Sequence, residues 1–274
     1  MVDKTESGFA SINGAEIFYT QTNPHHSETM LMIHAGICDH RMWEKQVIHF
    51  SKRFHVITLD MRGFGKSSIP DAPFSDHDDI IALLKYLEVD SAWFLACSMG
   101  GKVAINIALL QPKLVKGLLL SGPAYGGYRY ESDEPHPLDD AFDTAEANND
   151  MEAMSELEVQ LWVDGEGRSS DKVDPTVRKL VYEMNLIPLM VDDDIWDKEQ
   201  SLEPPASERL ADITQPTLII IGDLDVAPSI ERADNLAEAI PNAKKVVMTG
   251  TAHVPNMEFP DQFNTIVDDF LRNL

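Results

Sequence analysis

The feature that most constrains this chain is one residue at which two periodicities meet. Trp93-Phe94-Leu95-Ala96-Cys97 is an apolar run of strand length, and beyond Ser98 the apolar residues Met99, Val103, Ile105, Ala108 and Leu109 follow a helical pattern. A strand that gives way to a helix across one residue must turn sharply there. The corner residue is held in a strained backbone conformation with its side chain pushed out above the sheet. Strand and helix cross closely at such a corner, so the residues two before and two after it must be small; here they are Ala96 and Gly100. Were Cys97 the corner, its flanks would be Leu95 and Met99, too large for the crossing. Ser98 is therefore the residue presented.

A corner of this kind needs a sheet behind it, and the rest of the chain provides one. Phe9 to Ile12 and Ala15 to Thr20 alternate as short strands, joined by Asn13-Gly14, a dipeptide suited to a tight hairpin. Thr29 to His34 reads as a buried strand, Trp43 to Phe50 as a helix and Phe54 to Asp60 as the next strand. Asp78 to Leu87 is amphipathic and leads into the Ser98 strand; Leu114 to Ser121 is the sixth strand. The alternation then breaks. From Gly122 to Ala206 there is no clear strand, only acidic helical stretches near Ala141 to Trp162 and Pro175 to Asn185. Leu157, Leu161, Trp162, Leu186, Leu189, Met190 and Trp196 supply that segment with an apolar face. Strand Pro216 to Gly222, helix Ile230 to Ala239, strand Ala243 to Met248 and helix Asp261 to Leu274 close the chain. Strands alternating with helices predict a mostly parallel, eight-stranded sheet covered on both faces. A helical lid over residues 122–206 is inserted after the sixth strand, and residues 1–121 and 207–274 form the α/β core.

Composition limits the partners. The 274 residues suffice for one large core plus a lid, and the formal net charge is −24. So acidic a chain is repelled by nucleic acid and by anionic membranes, so neither is expected as a partner. Two cysteines, Cys38 and Cys97, do not make a disulfide framework. Met1 to Glu6 has no apolar segment behind it, and the longest mostly apolar stretches, such as Leu114 to Leu120, fall far short of a membrane span. The expectation is a cytoplasmic protein, monomeric or homodimeric.

A serine hydroxyl is a poor nucleophile at neutral pH. It needs a base within hydrogen-bond reach, and the base needs an orienting carboxylate. Both partners belong on loops at the carboxyl ends of later strands. After the strand ending in Ile221 comes Gly222-Asp223-Leu224-Asp225, and after the strand ending in Met248 comes Gly250-Thr251-Ala252-His253. The order along the chain is serine, aspartate, histidine.

With these residues the chain resembles an α/β-hydrolase of the serine-esterase type, over nearly its whole length. Ala96-Cys97-Ser98-Met99-Gly100 corresponds to the family's G-x-S-x-G with Ala for the first Gly. His34-Ala35-Gly36-Ile37-Cys38-Asp39-His40-Arg41-Met42-Trp43 resembles its His-Gly loop, with Ala35 in place of a Gly, and Asp60 to Ser67 resembles its D-x-R-G-x-G-x-S turn. The family's G-x-x-D motif selects Asp225 over Asp223. The resemblance implies a triad of Ser98, Asp225 and His253. It also implies an oxyanion hole made by the N–H of Met99, at a helix start where the dipole helps, and a second N–H from the loop after His34. By position that second donor is Gly36, with Ile37 the alternative. Each donor is worth roughly 3–4 kcal/mol in the transition state.

His34 is expected to tether the oxyanion loop, His40 to face the surface or the lid, and Asp60 with Arg62 to form a structural turn pair. His25-His26 has no further ligands beside it and is not read as a metal site. Ile37, Trp162 and Leu189 are expected to contact substrate. The implied reaction is hydrolysis of a small-molecule carboxylic ester through an acyl-enzyme on Ser98, with no cofactor and no metal. Enol-lactone hydrolysis and carbon–carbon cleavage of dienoates share the triad but take anionic substrates, which a lid poor in Lys and Arg disfavours. Cofactor-free perhydrolysis is a further possibility of the same fold. Haloalkane dehalogenation and epoxide hydrolysis would need Asp at position 98. The alternative of another class is a receptor that uses a hydrolase scaffold to bind a small molecule without turnover.

Overall fold

The computed structural model of the protein describes residues 5–130 and 135–274. The first four residues, on which the expectation of no leader partly rests, and residues 131–134 of the expected lid lie outside the described residues. The strands are β1 (Thr5–Ile12), β2 (Ala15–Thr22), β3 (Thr29–Ile33), β4 (His55–Leu59), β5 (Ala92–Cys97), β6 (Val115–Ser121), β7 (Thr217–Gly222) and β8 (Ala243–Met248). They form one eight-stranded sheet in the order β1-β2-β4-β3-β5-β6-β7-β8. β1 and β2 pair antiparallel, as do β2 and β4; every other neighbouring pair is parallel. The β1–β2 hairpin closes at Asn13 (φ 45°) and Gly14 (φ 83°), two successive left-handed residues of the sort a two-residue turn demands. β1 runs four residues further toward the N-terminus than its apolar alternation predicts. Thr5 to Gly8 pair with Tyr19 to Thr22 through the backbone ladder and a 2.9 Å hydrogen bond between the Thr5 and Thr22 hydroxyls, on a mostly exposed edge where side-chain pattern carries little information.

Strand side chains alternate between two apolar clusters, one per face of the sheet. Leu31 and Ile33 join Ile80 and Leu83 of α2 (Asp76–Tyr86), Val103 and Ile107 of α3 (Met99–Leu110), and Ala233 and Leu236 of α8 (Ala227–Ala239). Met30 and Met32 join Phe50 of α1 (Glu44–Phe50) and Phe263, Val267 and Phe270 of the last helix (Pro260–Arg272). The helix expected over Trp43 to Phe50 thus begins at Glu44, after a 3₁₀ turn over His40–Trp43.

Between β6 and β7 the described residues hold helices and no strand: α4 (Asp139–Ala147), α5 (Met151–Val159), a π-turn (Gln160–Asp164), α6 (Pro175–Leu189) and α7 (Asp193–Trp196). The helix expected near Ala141 to Trp162 is broken at Asn149, where φ is 53°. The fully buried face of this segment is Val159, Val163, Val181 and Met184, packed onto the second cluster. Met190, expected on the apolar face, is 73% exposed. The π-turn accounts for part of the discrepancy. It inserts a residue into the helical phase, so a constant 3.6-residue period misplaces the residues beyond it. No helix among the described residues is long and apolar enough to cross a membrane.

Candidate active site

β3 and β5 are hydrogen-bonded neighbours, with Met30–Ile33 in register with Trp93–Ala96, so the loops that leave their carboxyl ends lie side by side. Ser98 occupies the corner after β5 at φ 50°, ψ −115°, a region that few non-glycine residues adopt. The small flanks have a visible cause. A Cβ at Gly100 would sit 2.6 Å from the carbonyl oxygens of both Ile33 and His34, so nothing larger than hydrogen fits between α3 and β3. Cys97 is buried in the core and donates its thiol proton to the His253 carbonyl at 3.7 Å, whereas Ser98 opens onto a cavity.

The loops after β7 and β8 meet at the same edge. His253 Nδ1 lies 2.7 Å from Asp225 Oδ2, and the second carboxylate oxygen of Asp225 accepts the Val226 N–H at 2.8 Å. Both side chains are almost wholly buried. With Nδ1 donating to a carboxylate, the His253 ring carries its proton there and keeps a lone pair on Nε2. The other candidate, Asp223, turns away and accepts the Gly250 N–H at 2.6 Å. Gly122 (φ 48°) passes so close that a Cβ there would stand 3.1 Å from the His253 ring.

His34 is fully buried between two loops. Its Nδ1 donates to the Ala35 carbonyl at 2.8 Å and its Nε2 accepts the Met61 N–H at 2.9 Å, a pattern that requires the neutral ring; burial likewise lowers its pKa. His34 therefore ties the Gly36 loop to the Asp60–Ser67 turn. That turn departs from expectation. Asp60 pairs with His40 (Nδ1 to Oδ1 2.6 Å) and also accepts the Lys66 N–H, while Arg62 pairs with Asp79 of α2 at 2.8 Å. His40 is thus a mostly buried partner of Asp60 rather than a surface or lid-facing group, and Asp60 and Arg62 do not pair with each other. Among the described residues, Asp39, His40 and Asp60 are the one group with donor atoms close enough to hold a metal. Arg41 and the backbone N–H groups of His40, Arg41 and Lys66 already engage those carboxylates.

One cavity of about 660 Å³ brings the expected residues together. Gly36, Ile37, Ser98, Met99 and His253 line it from the sheet side, and Trp162, Pro188 and Leu189 from the inserted segment. Gly36 faces Met99 closely, a Cβ on it standing 3.6 Å from the Met99 sulfur. The Trp162 ring packs against the His253 ring at a 44° tilt, centroids 4.6 Å apart, and the Trp162 carbonyl accepts the His253 backbone N–H at 3.0 Å. Five further lining residues are acidic, namely Asp76, Glu146, Glu158, Asp193 and Glu199, and none of the lining residues is Lys or Arg.

Sequence reading missed a clamp that holds the inserted segment to the His253 loop. Arg168 donates to the carbonyls of Val163, Asp164 and Gly250 and pairs with Glu258 at 2.7 Å, and Glu258 accepts the Ala252 N–H. Its components lie about ninety residues apart with no shared motif.

Comparison with known proteins places this architecture. The family described as the alpha/beta hydrolase fold matches residues 28–155. The pimeloyl-[acyl-carrier protein] methyl ester esterase of Pectobacterium atrosepticum is 27% identical, over 92% of this chain and 97% of its own. The 3-oxoadipate enol-lactonase 1 of Acinetobacter baylyi is 23% identical, over 86% of this chain and 85% of its own. Among solved structures, the bromoperoxidase from Bacillus anthracis is 27% identical with a TM-score of 0.80, over 97% of this chain and 100% of that one.

Proposed function

We propose that the chain is a serine hydrolase of small-molecule carboxylic esters, built on the alpha/beta hydrolase fold whose family matches residues 28–155, with residues 122–206 as a cap over its active site. The observation that carries this reading is the strained Ser98 on the same cavity as His253, whose far nitrogen is bonded to buried Asp225. Ser98 Oγ attacks the ester carbonyl while His253 Nε2 takes its proton. Asp225 keeps the ring in the productive tautomer and stabilises the imidazolium that forms. The N–H groups of Met99 and Gly36 receive the developing oxyanion. His253 then returns the proton to the leaving alkoxide, and water, deprotonated by the same ring, releases the acid from Ser98. Ile37, Trp162 and Leu189 shape the acyl and alcohol sites.

Enol-lactone hydrolysis, suggested by the Acinetobacter relative, ranks below this. An anionic substrate would enter a cavity lined by five carboxylate residues and no Lys or Arg. The deciding experiment is turnover of p-nitrophenyl butyrate by the wild type and by Ser98→Ala. Hydrolysis by the first and none by the second supports the enzyme. A wild type that binds the ester without releasing p-nitrophenol is a receptor.

A further inference from the structure

Asp76 stands out among the carboxylates of the cavity. It lies in the first turn of α2, is only 6% exposed, and lines the cavity with no side-chain hydrogen bond or ion pair to any described residue. A buried, unpartnered carboxylate that faces a cavity is unfavourable unless something fills the space beside it. The surrounding groups sharpen the point. Glu199 reaches the same end of the cavity because it bridges Phe74, two residues before Asp76. Glu199 is paired with Lys102 at 2.7 Å, and Asp79 with Arg62 at 2.8 Å. Asp76 has no ion-pair partner of its own among the described residues, and the two cations act on it only from a distance, against burial and the neighbouring carboxylates. Phe64 and Trp196, 5.4 Å apart, line the cavity as well, and aromatic faces attract cations as carboxylates do.

We propose that Asp76, with Phe64 and Trp196, binds the ammonium group of the substrate, so that the preferred substrate is a cationic ester. This rests on the ester-hydrolase reading and narrows it to esters that carry an amine. Glu146, Glu158 and Asp193 extend the negative field over the rest of the cavity, and no cationic lining residue opposes it. Burial and the neighbouring Glu199 push the Asp76 carboxyl up to about 7, the behaviour of a carboxylate that lacks its counter-ion. An ammonium group seated there restores the ionised form.

The test separates binding from turnover. Benzylammonium and benzyl alcohol, near-isosteres that differ in charge, are titrated into the wild type at pH 7.5 with tryptophan fluorescence as readout, since Trp162 and Trp196 line the cavity. The cation should bind about tenfold more tightly or better, and Asp76→Asn should bring the ratio close to one. Equal affinities in the wild type, or a preference that survives Asp76→Asn, overturn the proposal. Turnover is then compared for ethyl 6-aminohexanoate, ethyl heptanoate and ethyl hydrogen pimelate, with kcat/KM expected to fall in that order. A wild type that hydrolyses the neutral or anionic ester best refutes the cationic substrate and leaves the hydrolase intact. Selective binding of benzylammonium with no hydrolysis of any ester refutes the hydrolase and leaves the ammonium site intact.

Discussion

A carboxylate kept for a ligand weakens the fold while the ligand is absent, and Asp76 allows that effect to be measured. Its carboxyl titrates at about 7 in the folded protein against an ordinary 3.8, raised first by burial and then by Glu199, with Asp79 adding to the effect and Lys102 and Arg62 opposing it. Below pH 3.8 the group is protonated in both folded and unfolded chains and contributes no penalty. As pH rises, the unfolded chain loses this proton first, so folding must take one up and stability falls until the folded group also ionises near pH 7. At about 1.36 kcal/mol per pH unit, the penalty is about 2 kcal/mol at pH 5 and about 4 kcal/mol at pH 8. Asp76→Asn removes the titration, whereas the burial of a polar side chain persists at every pH and cancels in a comparison between two pH values. The variant should therefore gain about 2.5 kcal/mol relative to wild type between pH 5 and pH 8. Urea unfolding of both proteins at pH 5, 6, 7 and 8, followed by tryptophan fluorescence, reads this directly. A stability difference that stays constant across the series would refute the argument and show that Asp76 is solvated or paired in solution.

The site dictates other outcomes. Asp225→Asn should lower kcat by about 10⁴ because the ring loses its orienting partner. Asp223→Asn should lower it far less, since Asp223 only holds the Gly250 turn; kcat on p-nitrophenyl butyrate ranks the two. Gly100→Ala forces a methyl group to 2.6 Å from two backbone oxygens and should cost several kcal/mol, about the upper range of single substitutions, seen as a large drop in Tm or as loss of soluble protein. Cys38 and Cys97 are both buried, with burial pushing both thiols up, so neither should react with a disulfide reagent in the folded protein and both should react in urea. Immediate reaction under native conditions would contradict the packing around the elbow.

The parts of the site that rest on local chemistry are legible in the sequence. The Ser98 corner announces itself through Ala96 and Gly100, and the crossing that demands them is visible as the near contact of Gly100 with the Ile33 and His34 carbonyls. Asp225 and His253 come after strand ends that apolar runs mark plainly. Pairings between distant segments are not legible. Asp60 and Arg62 are two residues apart, yet each finds its partner elsewhere, in His40 and Asp79, because the turn wraps Asp60 inward so tightly that a Cβ on Gly65 would strike its carboxylate. The Arg168–Glu258 clamp joins segments with no common pattern. The buried face of the inserted segment escapes a periodic reading because the turn at Asn149 and the π-turn at Gln160–Asp164 interrupt the period. In the sequence Asp76 is one of several acids at a helix start; only the cavity and the pairing of its neighbours set it apart.

If Ser98 is a nucleophile activated by His253 and Asp225, a fluorophosphonate should form one adduct per chain, located on Ser98 by peptide mass spectrometry. The wild type should form it and His253→Ala, which keeps Ser98 but lacks its base, should not. An adduct on another residue, or labelling of Ser98 that proceeds equally without His253, would contradict that assignment.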